Sequence, residues 1–326
     1  MQGTHSELFQ ALDESQFLPY FQPLVNLRDG TIRGFEVLAR WQHPGRGLVP
    51  PNEFLPSLEK EGLMNRFSEL LFKQAFAAAG TLPPDVGLSI NISPSQLHDP
   101  SLPELLNRLA DAAEFDLKRL TVEITESGLI DNLQLAGRIA TDIKALGSRL
   151  SLDDFGTGYS SLLHLQALPF DELKVDMSFV RSMVKSRQSR KIAATVVSLG
   201  VSLGLQTVGE GIEEQDQANL LAWQGCNLGQ GYLFGRPVPS SQLADTMRRG
   251  CCGVNSVTDF SASMTDLSHA LDSHPDQRLS QLRALYDSAP VGIAFIDSGL
   301  RYLSLNRRLA SMNHAYRTVA SRTQGF

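Results

Sequence analysis

Glu36, Asn91, Glu123, Asp153, Asp154 and Glu210 each stand where a short apolar run of β character gives out. The runs are GFEVLARW, LSINIS, LTVEITES, LSLDDFGTG and QTVGEGIE. All six side chains offer oxygen donors, and such a set selects a hard cation, Mg²⁺ or Mn²⁺ rather than Zn²⁺. Lys174, in ELKVD, is the one amine among them, in a strand that otherwise reads as core. Buried beside metal ions, it would have a lowered pKa and act as a base or orient a water. Two divalent ions roughly 3.5–4 Å apart, bridged by a carboxylate, are a recurring device for phosphodiester hydrolysis. The donors here suffice for two such ions, so phosphoester cleavage is the chemistry these residues point to.

Each residue taken singly has a plainer reading. Asp153 and Asp154 could cap a helix or sit in a solvated turn. Neighbours on an extended strand face opposite ways, so both can serve one site only if the strand bends there. The FGTG that follows supplies backbone freedom through Gly156 and Gly158. Glu36 could lie on the surface of a hairpin, and Asn91 could be a turn former. Glu126, three residues after Glu123, could merely cap a helix. Gln230 stands between Gly229 and Gly231, which would let a ligand approach the backbone closely.

The elements that must hold these groups alternate between strand and helix. Strands are expected at 17–27 and 31–38 about an Asp29-Gly30 turn, a good hairpin signal. Further strands are expected at 86–92, 119–124, 149–152, 172–175 and 206–208, with the last strand-like piece at 232–234. Helices are expected at 53–79, 102–113, 135–146, 179–203 and 214–223, with Gly80 and Gly147 as stops. This alternation predicts an α/β protein, either a closed barrel or a doubly wound sheet. Ligands contributed by several strands favour a TIM-like (β/α)₈ barrel with an antiparallel element near the N-terminus, the donors lying on its C-terminal rim.

The chain has 326 residues, and a (β/α)₈ barrel needs roughly 250. A net charge of −6 gives no electrostatic footprint for duplex nucleic acid, though bound cations would reverse the sign locally for a small anionic substrate. Cys226, Cys251 and Cys252 make no disulfide framework and fit a reducing compartment. Scattered histidines give zinc little support. The N-terminal segment lacks an apolar signal core, and the longest apolar stretch, 192–205, falls short of the ~20 residues a membrane span needs. A cytoplasmic location without a membrane span is therefore expected.

The ordered motifs EVLAR, NISPSQL, VEITES, DDFGTGYSSL, LPFDELKVD, GEGIE and GQGYLFGRP make the chain resemble the EAL-domain cyclic di-GMP phosphodiesterases over residues of about 10 to 245. The resemblance implies hydrolysis of cyclic di-GMP to linear pGpG with two Mg²⁺ or Mn²⁺ ions. By the same likeness, Glu36, Asn91, Glu123 and Asp153 are ligands of one metal, and Asp153, Asp154 and Glu210 of the other. Lys174 corresponds to the residue contacting the attacking water, with Glu213 and Gln230 supporting the site. Glu126 corresponds to the glutamate that braces the DDFGTGYSS loop, and Gln22 and Arg40 to substrate contacts. A homodimer through the barrel rim is also implied. Val37 and Gly209 depart from the family's usual alanines without removing a functional group. A non-catalytic cyclic di-GMP receptor is the competing reading, but such receptors usually lack metal ligands, and here none is missing.

The expected organisation is a phosphodiesterase domain at 1–248, a polar linker at 249–277, and an incomplete α+β segment at 278–326. The run APVGIAFIDSGLRYLSLN in that last segment resembles the opening of a PAS sensor domain. Two short strands about a Ser-Gly turn are expected there, with no cofactor.

Overall fold

The computed structural model describes residues 5–125, 133–155, 165, 168–250, 294–296 and 302–305. The chain divides into two compact units, Met1–Phe260 and Ser261–Phe326.

The first unit is an α/β barrel of eight staves. Its strands are β1 (Phe17–Asn26), β2 (Ile32–His43), β4 (Gly87–Ile92), β5 (Leu120–Thr125), β6 (Arg149–Phe155), β7 (Glu172–Val175), β8 (Gln206–Gly209) and β9 (Leu228–Gln230). From β2 through β4 to β9 every pairing between neighbours is parallel. β1 closes the circle by pairing antiparallel with both β2 and β9. Two short strands lie outside the ring: β3 (Gly47–Val49) on β2 and β10 (Val238–Pro239) on β1. The hairpin expected around Asp29-Gly30 is the β1–β2 pair, its turn tied by Asn26 Oδ1, which accepts from Arg28 N at 2.8 Å.

Helices α1 (His5–Asp13), α2 (Pro51–Lys60), α3 (Met64–Ala79), α4 (Leu102–Ala112), α5 (Leu133–Ala145), α6 (Met177–Ser182), α7 (Arg187–Ser202), α8 (Gln215–Gln224) and α9 (Leu243–Arg249) accompany the strands. Two long helices expected from apolar spacing are each two helices. Gly62, at φ +67°, takes a left-handed turn between α2 and α3 that spacing alone does not reveal. α7 has its own start, where Ser186 accepts a hydrogen bond from Ser189 N at 3.2 Å. The last stave is Leu228–Gln230; Tyr232–Phe234, expected as a strand, is a turn closed by Phe234 N donating to Gly231 O. Gly229 within the true strand and Gly231 just after it mask its apolar signal.

The core lies between the strands and the helical layer. Phe17 is fully buried against Trp41, Phe54 and Phe67, with ring centroids 5.1 to 5.3 Å away. No described helix is long and apolar enough to cross a membrane. In the second unit Ala294–Ile296 and Tyr302–Leu305 pair antiparallel, the two strands expected there. Of the linker expected at 249–277, Arg249 ends the last helix of the first unit and residues 251–277 fall outside the described residues.

Candidate functional site

Parallel staves in register bring residues at matching heights on successive strands to one rim. Glu36 on β2, Asn91 on β4, Glu123 on β5, Asp153 on β6, Lys174 on β7 and Gln230 on β9 arrive there, with Glu210 immediately after β8. The site has a centre. Lys174, fully buried, places Nζ 2.6 Å from Glu210 Oε1 and 2.7 Å from Glu123 Oε2. Glu36 Oε2 and Asp153 Oδ2 stand at 3.7 and 3.6 Å from the same nitrogen.

Amides fix the orientation of Glu36. Asn91 Nδ2 donates to its Oε1 at 2.7 Å, and Gln230 Nε2 donates to its Oε2 at 2.6 Å. Gln230 also donates to Gln22 Oε1 at 3.1 Å, and Gln22 Nε2 donates to Gly235 O. Gln22, Glu36 and Gln230 thus form a buried chain across three adjoining strands.

The bend expected at the aspartate pair is present. Asp154 adopts φ +57°, and the β6–β7 register shifts between Leu152 and Phe155. This turns Asp154 toward the side of Asp153, so that carboxylate oxygens of Asp153, Asp154 and Glu210 lie within 4.8 Å of one another. A left-handed aspartate is costly, and such strain persists only where surrounding structure holds it.

Charge in this site is poorly balanced by protein alone: five carboxylates face one ammonium. Burial raises the Glu123 carboxyl well above the ordinary range, and nearby Glu36 raises it further. Burial likewise pushes Glu210 up to about 8, despite the opposing pull of Lys174. Asp154 is raised by burial and by Asp153. Burial would also raise Glu36, but Lys174, Gln230 and Asn91 outweigh it and hold the carboxyl below its ordinary value. For Lys174 burial acts downward, yet Asp153, Glu123, Glu210 and Glu36 together lift it well above the ordinary lysine value. Among the protein's own groups, four carboxylates favour the ammonium form of Lys174; the lowering expected from the sequence applies to a lysine beside bound metal ions. Glu123 Oε1 is buried with no hydrogen-bond partner. An orphaned carboxylate oxygen and an all-oxygen cluster fit a bound divalent cation.

Other expected members stand apart. Arg40, four residues beyond Glu36 on β2, donates from Nη1 to Ala39 O at 2.7 Å and lies over the Tyr20 ring at 5.8 Å. Glu213 is exposed and accepts from Arg181 Nη2 at 2.8 Å. Glu126 and most of the DDFGTGYSS loop lie outside the described residues. The glycines flanking Gln230 have another occupant than a ligand: a Cβ on Gly231 would stand 2.0 Å from Ile212 O, and one on Gly229 2.7 Å from Ile212 Cδ1. They admit the segment that carries Glu210 and Glu213, which Ile212 N fastens to Gln230 O at 2.9 Å.

Sequence reasoning missed Asp176, whose charge raises Asp154 while its side chain caps α6 by accepting from Ser178 N at 3.0 Å. It also missed Glu172, buried two residues before Lys174. Strand alternation places Glu172 on the same inward face as Lys174, which was the available signal.

Residues 5–237 match the EAL domain family. The chain is 39% identical over 237 residues to an uncharacterized signaling protein of Caulobacter vibrioides, covering 73% of this chain and 29% of that one. It is 36% identical over 243 residues to the cyclic di-GMP phosphodiesterase RocR of Pseudomonas aeruginosa, covering 74% of this chain and 62% of RocR. The solved PaMucR phosphodiesterase, in complex with c-di-GMP, superposes with a TM-score of 0.70 at 35% identity, over 73% of this chain and 98% of that one. The chain therefore spans less than two thirds of the length of these two curated relatives. With the barrel and the converging carboxylates, the match over residues 5–237 shows that the chain belongs to the EAL domain family.

Proposed function

We propose that this chain is a metal-dependent phosphodiesterase that hydrolyses cyclic di-GMP to linear pGpG. The observation that carries the proposal is the convergence of Glu36, Glu123, Asp153 and Glu210 on the buried ammonium of Lys174, from four different strands or strand ends. RocR, which bears the name cyclic di-GMP phosphodiesterase, and PaMucR, solved with c-di-GMP, support the choice of substrate.

In this reading Glu36, Asn91, Glu123 and Asp153 hold one divalent cation, and Asp153, Asp154 and Glu210 the other, Mg²⁺ or Mn²⁺ in each case. When bound, such a pair supplies charge neutralisation at the phosphate and a more acidic water. The chain's own groups do the rest. Lys174 donates hydrogen bonds from a fixed position and orients the attacking water. Gln230 and Asn91 lock the Glu36 carboxylate, so little reorganisation is needed when charge develops. Arg40, half-buried beside Tyr20 and four residues further along β2 than Glu36, would meet substrate phosphate or base. Glu213 supports the site through its segment, and Glu126 braces the loop after Asp154. One water is consumed: its oxygen bonds to phosphorus, one ribose–phosphate ester bond breaks, and the released hydroxyl takes a proton.

The odd set of three cysteines fits a cytoplasmic setting, and a homodimer through the barrel rim completes the reading. Incubating the purified chain with cyclic di-GMP and Mg²⁺, then separating nucleotides chromatographically, tests it. Appearance of pGpG is expected. Dinucleotide that is retained by the protein but never cleaved would make it a receptor instead.

A further inference from the structure

At the barrel end opposite the carboxylates, the strand starts line a cavity of about 350 Å³. The placement follows from residue order. Arg149 and Glu172 are the first residues of β6 and β7, whereas Asp153 and Lys174 lie further along the same strands. This volume falls within the ~300–1,000 Å³ typical of small-molecule sites.

Two charged groups that line the cavity each keep one side-chain atom without a hydrogen-bond partner. Glu172 is only 4% exposed, and its Oε1 makes no hydrogen bond. Burial raises the Glu172 carboxyl, and Ser151, beside it in the β6–β7 register, and Arg149 act against that rise, although Ser151 Oγ stands beyond ordinary hydrogen-bond geometry. Arg149 has its Nε buried and unpartnered. The guanidinium lies over Gly87, whose lack of a Cβ is required by the Arg119 carbonyl, 2.8 Å from where that atom would stand, rather than by Arg149. Arg149 and Glu172 attract each other, but neither of these two atoms is satisfied by the other. Nothing in the chemistry of the carboxylate site at the other end uses them.

The lining is matched in charge, with Arg33 and Asp85 at the exposed mouth and Arg149 and Glu172 deeper. Arg33 is in part engaged by Asp29, at 3.2 Å. A lone anion would leave Glu172 opposed, and a lone cation would leave Arg149 opposed. A solute that carries both charges suits both. Leu24, Leu88 and Leu228 add an apolar wall for an aliphatic portion.

We propose that this cavity binds a small zwitterion of the α-amino-acid class, its carboxylate on the Arg149 guanidinium and its ammonium on the Glu172 carboxylate. Charge-assisted hydrogen bonds at both ends would satisfy groups that are costly to leave buried and unpaired. The site is separate from the carboxylate rim, so an occupant would act on the barrel without competing with a nucleotide.

The test uses the full chain and each of the twenty L-amino acids in turn, by thermal melting and titration calorimetry. One or a few should bind with a dissociation constant of about 1 mM or tighter. At tenfold that concentration the melting temperature should rise by about 2–4 °C. Arg149→Gln and Glu172→Gln should each weaken binding at least about tenfold, and acetate or methylammonium alone should bind poorly. Should Glu172→Gln fail to fold by circular dichroism, Arg149→Lys on the half-buried arginine carries the same comparison. No response to any amino acid would mean that the cavity holds water only, and would overturn the proposal. Binding that survives in the variants would place the ligand elsewhere, with the same consequence.

Discussion

Lys174 and Glu123 meet 2.7 Å apart inside the barrel, Nζ donating to Oε2, although their strands are not neighbours. β6 separates them, so the contact spans the barrel interior and both groups are removed from water. A buried ion pair of this kind says little about net stability, but breaking it leaves charge without compensation. The pairing therefore belongs to function, and its removal has two separable effects.

Lys174→Met should destabilise the protein in EDTA by about 3–5 kcal/mol, because the carboxylates lose their one ammonium. Added Mn²⁺ should restore much of that loss, since the cation takes over the neutralisation. Turnover should fall more than tenfold, a loss above about 1.4 kcal/mol in the barrier. Melting curves with and without Mn²⁺, beside single-turnover rates, check both halves. A variant as stable as the parent in EDTA and still active would remove Lys174 from the account.

Stability in EDTA should fall as pH rises from about 4.5 to 8. Glu210 has a folded pKa of about 8 against 4.5 for the ordinary glutamate, so the folded state keeps a proton that the unfolded state has released. Stability from this group is thus full at acidic pH and lost through that window, and the raised Glu123 and Asp154 act in the same direction. The lowered Glu36 acts oppositely but outside it, below its ordinary value of 4.5. With Mn²⁺ present the slope should flatten or reverse, because cation binding displaces the protons. A pH series of melting temperatures with and without metal reads this directly.

Two glycines near the site should respond differently to alanine. At Gly209 the added Cβ would meet Leu221 Cδ1 at 2.5 Å, the far end of a flexible side chain, so a cost of about 1 kcal/mol or less is expected. At Gly231 it would meet the Ile212 backbone at 2.0 Å, which can yield only by moving the segment that carries Glu210. Gly231→Ala should cost about 3 kcal/mol or more and abolish turnover. Denaturant midpoints of the two variants give the comparison.

Much of this was legible in the sequence, for physical reasons. Glu36, Asn91, Glu123, Asp153 and Glu210 were recognisable because inward-facing polar residues at strand ends interrupt an apolar pattern. The bend at Asp154 was legible because two adjacent aspartates can share a site in no other way. The number of carboxylates gathered around Lys174 was not legible, since it depends on what a closed barrel brings within reach. The breaks at Gly62 and Ser186 were hidden by apolar spacing that runs through them. Leu228–Gln230 was passed over because Gly229 and Gly231 read as turn residues, whereas they serve the packing of Ile212.

The most direct test is the rate of pGpG formation from cyclic di-GMP by metal-stripped protein as Mn²⁺ is added back. The account predicts no product in EDTA, saturable recovery with added Mn²⁺, and no recovery for Glu36→Ala at the same metal concentrations. Undiminished pGpG formation in excess EDTA, or full activity of Glu36→Ala, would contradict the assignment of this carboxylate cluster as the metal-dependent hydrolytic centre.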